Sequence, residues 1–306
     1  MKEQGHIKKP CFFIEDICKV ISAKYSYKNL EEIMGQKVRG NLIIIGGAED
    51  KVGKKTILKY VADIVREKKG SLVILTTATQ KPQEVGNNYR QVFETLGLMD
   101  IDVLNINSRD EADLDENAER IRSSGGIFFT GGDQLRITSI LGGTKVYKAL
   151  HEVYSKGVVI VGTSAGASVM SNTMIVEGKD NEPARKCTMK MAPGLGFLEE
   201  AIIDQHFDQR GRIGRLLCGV AENPFMLGIG IDEDTAIRVY PDAHFEVLGS
   251  NAVTVIDGST IKSTNVSELN PDEILAISGV TLHVLPCGYG FDMKKREVIQ
   301  PTDRKL

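Results

Sequence analysis

No run in the 306-residue sequence is apolar over a membrane-spanning length. The N-terminal "MKEQGHIKKPCFFIEDICKV" also lacks a continuous signal-peptide core, because Glu15 and Asp16 interrupt its short apolar patch. Cysteine is sparse. Cys11, Cys18, Cys187, Cys218 and Cys287 are odd in number and scattered, which argues against a disulfide framework and for a reducing compartment. Cys11 and Cys18 have no companion pair at zinc-ligand spacing. An excess of basic charge is missing too: with 38 Lys and Arg against 41 Asp and Glu, the formal net charge is -3. That leaves no global case for nucleic-acid binding. Nor is there a Pro/Ser-rich linker, an internal repeat or a low-complexity tract. These absences describe a soluble, cytoplasmic chain with neither nucleic-acid nor membrane partners. The expected organisation is an extension over 1–39 and one α/β domain over 40–306.

What is present begins with alternation. "NLIIIGG", "SLVILTTA", "DVLNI", "GIFFTGG" and "VVIVGTS" read as strands. Between them, "TILKYVADIVREKK" carries Ile57, Leu58, Val61, Ile64 and Val65 on one helical face. "PQEVGNNYRQVFETLGL", "DLDENAERIRSS" and "VYKALHEVYSKG" also read as helices. Apolar strands separated by helices imply βαβ units and a parallel sheet covered on both faces. Toward the C-terminus, "FMLGIGIDEDTAIRVY", "HFEVLGSNAVTVIDG" and "GVTLHVLPCG" read as strands added antiparallel to the same sheet system. The expected class is α/β, a three-layer sandwich with a mostly parallel central sheet. At the other end, "FFIEDICKVI" sets Phe13, Ile17, Val20 and Ile21 near one helical face, as in an amphipathic helix docked on the body or on a second subunit.

In an open α/β sheet, ligands bind outside the carboxyl ends of the strands. Glycine-bearing loops fall there at Gly46-Gly47, Gly131-Gly132 and Gly162 to Gly166. "GVVIVGTSAGASVM" puts Ser164 in a Gly-x-Ser-x-Gly pattern where a buried strand gives way to a small-residue helix start. Ser164 is either a nucleophile on a sharp elbow or one small residue in a tight helix–sheet crossing. Roughly 0.1–0.2 such patterns arise by chance in a chain this long, so its partners must decide. A serine nucleophile needs a base. Of five histidines, His6, His151, His244 and His283 are isolated and read as satisfied surface or core residues. His206, in "IIDQHFDQRGRIGR", follows an apolar run and sits among polar residues. "GIGIDEDTAIRV" offers Asp232, Glu233 and Asp234 as the acid, or merely a solvated turn. Strand alternation would set Glu233 on the opposite face from its neighbours. The order Ser…His…acid is not that of the α/β-hydrolases.

Arg210, Arg212 and Arg215 follow His206 closely. Guanidinium forks suit carboxylates and phosphates, so the cluster suggests an anionic substrate, or else a solvated loop or ion-pair patch. "GGAEDKVGKKT" looks like a phosphate-binding loop but fails as one. Lys55 stands where the Ser/Thr magnesium ligand belongs, and Glu49 and Asp50 would repel phosphate.

Together, "IIIGGAEDK", "FFTGGDQLRI", "VGTSAGASVM", "GLGFLEEAIIDQHFDQRGRIGRL" and "GIGIDEDTAI" resemble the cyanophycinases, members of the peptidase E-like serine peptidases. The resemblance runs from about Asn41 to the C-terminus in one order. It implies a fold similar to class I glutamine amidotransferase domains, with serine at the nucleophile elbow. It also implies Ser164 as nucleophile, His206 as general base and then acid, and Glu233 as the third member. Gln134, Asp204, Gln205, Arg210, Arg212 and Arg215 match substrate-pocket residues. Oxyanion donors would be the N–H groups of Ala165 and of the Gly131-Gly132-Asp133 turn. The implied reaction is hydrolysis of cyanophycin, a poly-aspartate with arginine on each β-carboxyl, to β-aspartyl-arginine dipeptides through an acyl-enzyme. A homodimer is implied, and no metal or organic cofactor is called for. The alternatives are a related aspartyl or β-aspartyl dipeptidase and a non-catalytic binding protein on the same fold. The 1–39 extension has no matching counterpart, and the polar segment 177–194 is a candidate flap.

Overall fold

The computed structural model describes residues 40–301 except 69, 187 and 188. The expected N-terminal amphipathic helix lies outside the described residues, as do His6, Cys11, Cys18 and Cys187. The first part of the chain alternates strand and helix. It runs β1 (Leu42–Ile45), α1 (Thr56–Arg66), β2 (Leu72–Leu75), α2 (Pro82–Thr95), β3 (Ile101–Leu104), α3 (Arg109–Ala112) and α4 (Asp115–Arg122). It continues with β4 (Gly126–Phe129), α5 (Gln134–Leu141), α6 (Lys145–Ser155), β5 (Val159–Thr163) and α7 (Ala165–Ser168). A strand-rich part follows: β6 (Thr173–Gly178), β7 (Met189–Pro193), β8 (Ala201–Gln205), α8 (Ile213–Glu222), β9 (Leu227–Ile231) and β10 (Thr235–Val239). The last elements are β11 (His244–Gly249), β12 (Ala252–Asp257), β13 (Ser263–Thr264), β14 (Ile277–Ser278), β15 (Thr281–Pro286), β16 (Gly290–Asp292) and β17 (Glu297–Ile299).

The central sheet has nine strands in the order β17-β16-β11-β10-β1-β5-β4-β2-β3. Strands β1, β5, β4, β2 and β3 are mutually parallel, and β10, β11, β16 and β17 extend the sheet antiparallel from β1. Alternation along β1 explains why its residues are all apolar. Ile43 and Ile45 pack with Val61 of α1 and Phe93 of α2 on one face. Leu42 and Ile44 pack with Leu150 and Val153 of α6 on the other. A strand covered on both faces needs an unbroken apolar run, and the three layers follow from that.

The C-terminal strands divide differently from the sequence-based expectation. β10, β11, β16 and β17 join the central sheet, but β9, β12 and β15 form a separate four-stranded sheet with β8, in the order β15-β12-β9-β8. The chain therefore changes sheets between β9 and β10, within Asp232–Asp234. Both strands are short apolar runs, and nothing in their patterns separates them. Which sheet a strand joins is decided by distant partners, Val253 facing Ile231 for β9 and Leu42 facing Val239 for β10.

The elbow following β5 has no spare room. A Cβ on Gly162 would strike the Gly166 carbonyl oxygen and the Met170 methyl, and one on Gly166 would strike the Phe129 carbonyl oxygen. Gly162→Ala should therefore destabilise the protein by about 1–3 kcal/mol, the usual cost of overpacking, read as a lowered midpoint in denaturant unfolding.

Candidate active site

Three consecutive carbonyls at the end of β1 organise the site. Ile45 O accepts from Ser164 N (3.1 Å), Gly46 O from His206 N (2.8 Å) and Gly47 O from Asp234 N (2.9 Å). Ser164 follows β5, His206 follows β8 of the second sheet, and Asp234 ends the turn that crosses between the sheets. One short backbone stretch thus fixes three chain segments that are remote in sequence. The side chains meet accordingly. Ser164 Oγ lies 3.0 Å from His206 Nε2, and His206 Nδ1 lies 2.6 Å from Glu233 Oε1.

Sterics at Gly47 make this approach possible. Its φ is +102°, and a Cβ there would overlap the His206 ring. Ser164 itself has φ 53° and ψ -112°, a strained conformation that the flanking glycines and the Ile45 hydrogen bond hold in place. The hydroxyl is presented beside Gly131, whose built Cβ would sit 3.7 Å from Ser164 Oγ. Behind the elbow, buried Glu49 accepts from Thr163 Oγ1 (2.6 Å) and Tyr89 OH (2.5 Å). Burial and the neighbouring Glu49 charge raise the Tyr89 pKa well above its ordinary value. This residue of the apparent phosphate-loop motif therefore serves packing around the elbow. Its neighbour Asp50 closes the loop by accepting from the N–H groups of Val52, Gly53 and Lys55 at 2.7–2.9 Å, which lowers its pKa to about 2. The N–H groups that a phosphate would need are thereby taken.

Two of the three acids in the crossing turn are used elsewhere. Asp232 accepts from Asp208 N and Ala252 N, and Asp234 accepts from Asp50 N and Ser250 Oγ. Only Glu233 faces His206. The three carboxylates diverge because they lie in a turn between sheets, not because of strand alternation as the sequence reading supposed. The His206 pKa is lowered from 6.5 chiefly by burial, against the Glu233 hydrogen bond that raises it, with the Arg210 charge lowering it further. A neutral imidazole with Nδ1–H donating to Glu233 leaves Nε2 to accept from Ser164. The other described histidines are engaged in packing or local contacts: His151 Nε2 is 2.9 Å from Leu195 O, His244 stacks on Tyr240 and His283 packs on Phe291.

One oxyanion expectation is corrected. Asp133 N donates to Ala78 O at 2.9 Å, and the Asp133 carboxylate caps α5 through Leu135 N and Arg136 N. Its N–H is therefore spoken for. The N–H groups of Gly132 and Ala165 enter none of the hydrogen bonds found among the described residues.

The expected pocket residues turn out to be heavily engaged. Gln134 Nε2 donates to Ile175 O (3.0 Å) and Val176 O (2.7 Å), tying α5 to β6. Gln205 Oε1 sits 3.5 Å from Ser164 Oγ. Asp204 is buried beneath both guanidiniums: Arg215 grips it with Nε (2.7 Å) and Nη2, and Arg212 Nη1 stands 3.4 Å away. Arg212 also donates to Gln205 O (2.6 Å) and Asp180 Oδ1 (2.8 Å), and Arg215 to Gly178 O (3.2 Å). Of the three arginines only Arg210 is exposed. Sequence reasoning missed Asp180, which lies in a polar segment with no periodic signal. The segment 177–194 comprises the end of β6, the loop after it and β7, with the loop seated on the arginine segment through Asn181 N to Arg210 O (3.0 Å) and Asp180.

Residues 42–247 match the profile of peptidase family S51. The cyanophycinase of Trichormus variabilis is 35% identical over 278 residues, spanning 90% of this chain and 93% of that protein. The cyanophycinase of Geminocystis herdmanii is 36% identical over 269 residues, spanning 88% and 98%. Among solved structures, a peptidase from an acI-B1 actinobacterium shares the fold, with a TM-score of 0.59 at 20% identity, covering 82% of this chain and 98% of that one.

The charges around His206 make its titration a direct probe of the arrangement. Its imidazole should titrate below 6.5 by NMR. Arg210→Gln should move that midpoint upward, because it removes a repelling charge, and Glu233→Gln should move it further down.

Proposed function

Because the chain belongs to peptidase family S51, a family of serine peptidases, we propose that it hydrolyses cyanophycin to β-aspartyl-arginine dipeptides. The observation that carries this reading is the Ser164–His206–Glu233 alignment, at 3.0 and 2.6 Å. It occurs in a chain that is 35–36% identical to cyanophycinases over 88–90% of its length.

Ser164 Oγ attacks the aspartyl carbonyl carbon while His206 Nε2 takes its proton. The new C–O bond pushes an electron pair onto the carbonyl oxygen, where the N–H groups of Gly132 and Ala165 receive it. Collapse breaks the C–N bond, and His206 hands its proton to the departing amine. Water then repeats the sequence on the acyl-enzyme and frees Ser164 for another turn. Glu233 holds the imidazole in the tautomer with Nδ1–H and stabilises the imidazolium that forms at each step. The lowered His206 pKa keeps the base neutral before attack. Gln134, Asp204, Gln205, Arg210, Arg212 and Arg215 shape the substrate pocket, with exposed Arg210 meeting carboxylates directly and the others acting from a hydrogen-bonded wall. Residues 40–306 act as one peptidase domain with 1–39 as an extension, in a cytoplasmic homodimer.

A second reading is favoured by the occupied state of Arg212 and Arg215. With both paired, the site suits a short aspartyl or β-aspartyl peptide that needs only one exposed arginine. Digestion of purified cyanophycin by the wild-type chain and by Ser164→Ala, read by mass spectrometry, separates the two. Release of β-aspartyl-arginine by wild type, with a loss of about 10³-fold or more in Ser164→Ala, is the expected outcome. Intact polymer alongside cleaved dipeptides would replace the first reading with the second.

A further inference from the structure

Asp204, Arg212, Arg215 and Asp180 form a charge-balanced set, two guanidiniums against two carboxylates. The two carboxylates are not equivalent. The Asp204 side chain is 1% exposed and uses both oxygens, accepting from Arg215 Nε on one and from Arg215, Arg212 and Gln205 N on the other. It comes from the same stretch of chain as the arginines and is a permanent part of the wall. The Asp180 side chain is 39% exposed, comes from the loop after β6, and engages the arginines through Oδ1 alone, at 2.8 Å to Arg212 Nε and 3.6 Å to Arg215 Nη1. Without it the two arginines would carry one uncompensated positive charge at a solvent-reachable position. That position adjoins the nucleophile: Arg212 Nη1 donates to Gln205 O at 2.6 Å, and the Gln205 side chain touches Ser164 Oγ at 3.5 Å.

We propose that Asp180 is a specificity-determining residue whose carboxylate fills the seat that an acidic group of the substrate takes over on binding. This rests on the reading above, in which Ser164 attacks an aspartate-rich chain. The exchange is charge for charge, so the arginines are never left bare in a buried setting. It also filters ligands. A tethered carboxylate competes at high effective concentration, and a small free anion with no other contacts loses to it. A substrate already bound through neighbouring groups does not. The loop backbone is held by Asn181 N on Arg210 O (3.0 Å), by Leu275 N on Ala184 O (2.9 Å) and by close packing of residues 181–184 on Gly211 and Gly214, so the exchange takes a turn of the half-exposed Asp180 side chain and not a movement of the loop.

The test uses the full chain with Asp180→Asn, which keeps shape and removes charge. KM for cyanophycin should fall about 3- to 10-fold, because the fraction of open seats rises. Succinate, a plain dicarboxylate probe, should raise the melting temperature of Asp180→Asn at concentrations that leave wild type unmoved, and Asp180→Glu should restore wild-type behaviour in both assays. Asp180→Ser provides the same readouts if the Asn variant does not fold. An unchanged or higher KM, or equal succinate responses in wild type and variant, would overturn the proposal. Failure of wild type to cleave cyanophycin would instead sink the underlying reading. The succinate comparison still decides the role of Asp180 in that case, since it needs no turnover.

Discussion

The three carbonyls of Ile45, Gly46 and Gly47 are the constraint on which the site depends. Each accepts a backbone N–H from a different segment, at Ser164, His206 and Asp234. Backbone hydrogen bonds are short and directional, so each donor is held to within a few tenths of an ångström of its place beside its own carbonyl. A nucleophile, a base and a carboxylate drawn from two sheets then need only correct side-chain rotamers to align. Gly47 adds the steric half of the argument, because any side chain there would occupy the volume of the His206 ring. A residue type chosen for what it lacks, at the end of the most buried strand, therefore sets the geometry of a histidine some 160 positions away in sequence.

Electrostatics around this hub are arranged to cancel locally. Arg212 is the N-cap residue of α8 and Arg215 lies three residues on, so both reach the same side, toward Asp204 at the end of β8. Burying two guanidiniums is costly unless they are paired and hydrogen-bonded, and removing one partner from such a set commonly costs about 3–5 kcal/mol. Asp204, Asp180 and the carbonyls of Gly178 and Gln205 supply those partners. The same bonds that neutralise the arginines also seat the β6–β7 hairpin beside the histidine. Charge compensation and loop placement share these contacts.

Much of this was legible in the sequence, for identifiable reasons. The parallel strands read clearly because burial on both faces demands unbroken apolar runs, whereas the Gly-x-Ser-x-Gly pattern marked a tight turn after β5 without deciding whether Ser164 is a nucleophile or a packing residue, since crowding at Gly162 and Gly166 suits either. The segment around His206 stood out because polar residues crowd the end of an apolar strand. What stayed hidden was non-local. β9 and β10 look alike but join different sheets, so the crossing at Asp232–Asp234 could not be foreseen. The Asp133 N–H seemed available until Ala78 O claimed it. The arginines stayed undecided between forks for an anionic substrate and an ion-pair patch, because nothing local reveals that Asp180, some thirty residues earlier, pairs with Arg212 and Arg215.

Strain completes the picture. Ala48, Ser164, His206 and Asp234 all adopt positive φ, between 46° and 53°, without being glycine. Each such residue costs on the order of 1–3 kcal/mol and persists only where surrounding contacts over-determine it. All four lie on or beside the β1 hub, and three of them are anchored by it directly or through a hydrogen bond to it. Relaxing Ser164 would turn its hydroxyl away from the imidazole, and relaxing His206 would turn the imidazole away from the Glu233 carboxylate. The fold thus spends rigidity where alignment matters, and it can do so because the anchoring strand is buried on both faces and cannot shift to relieve the strain.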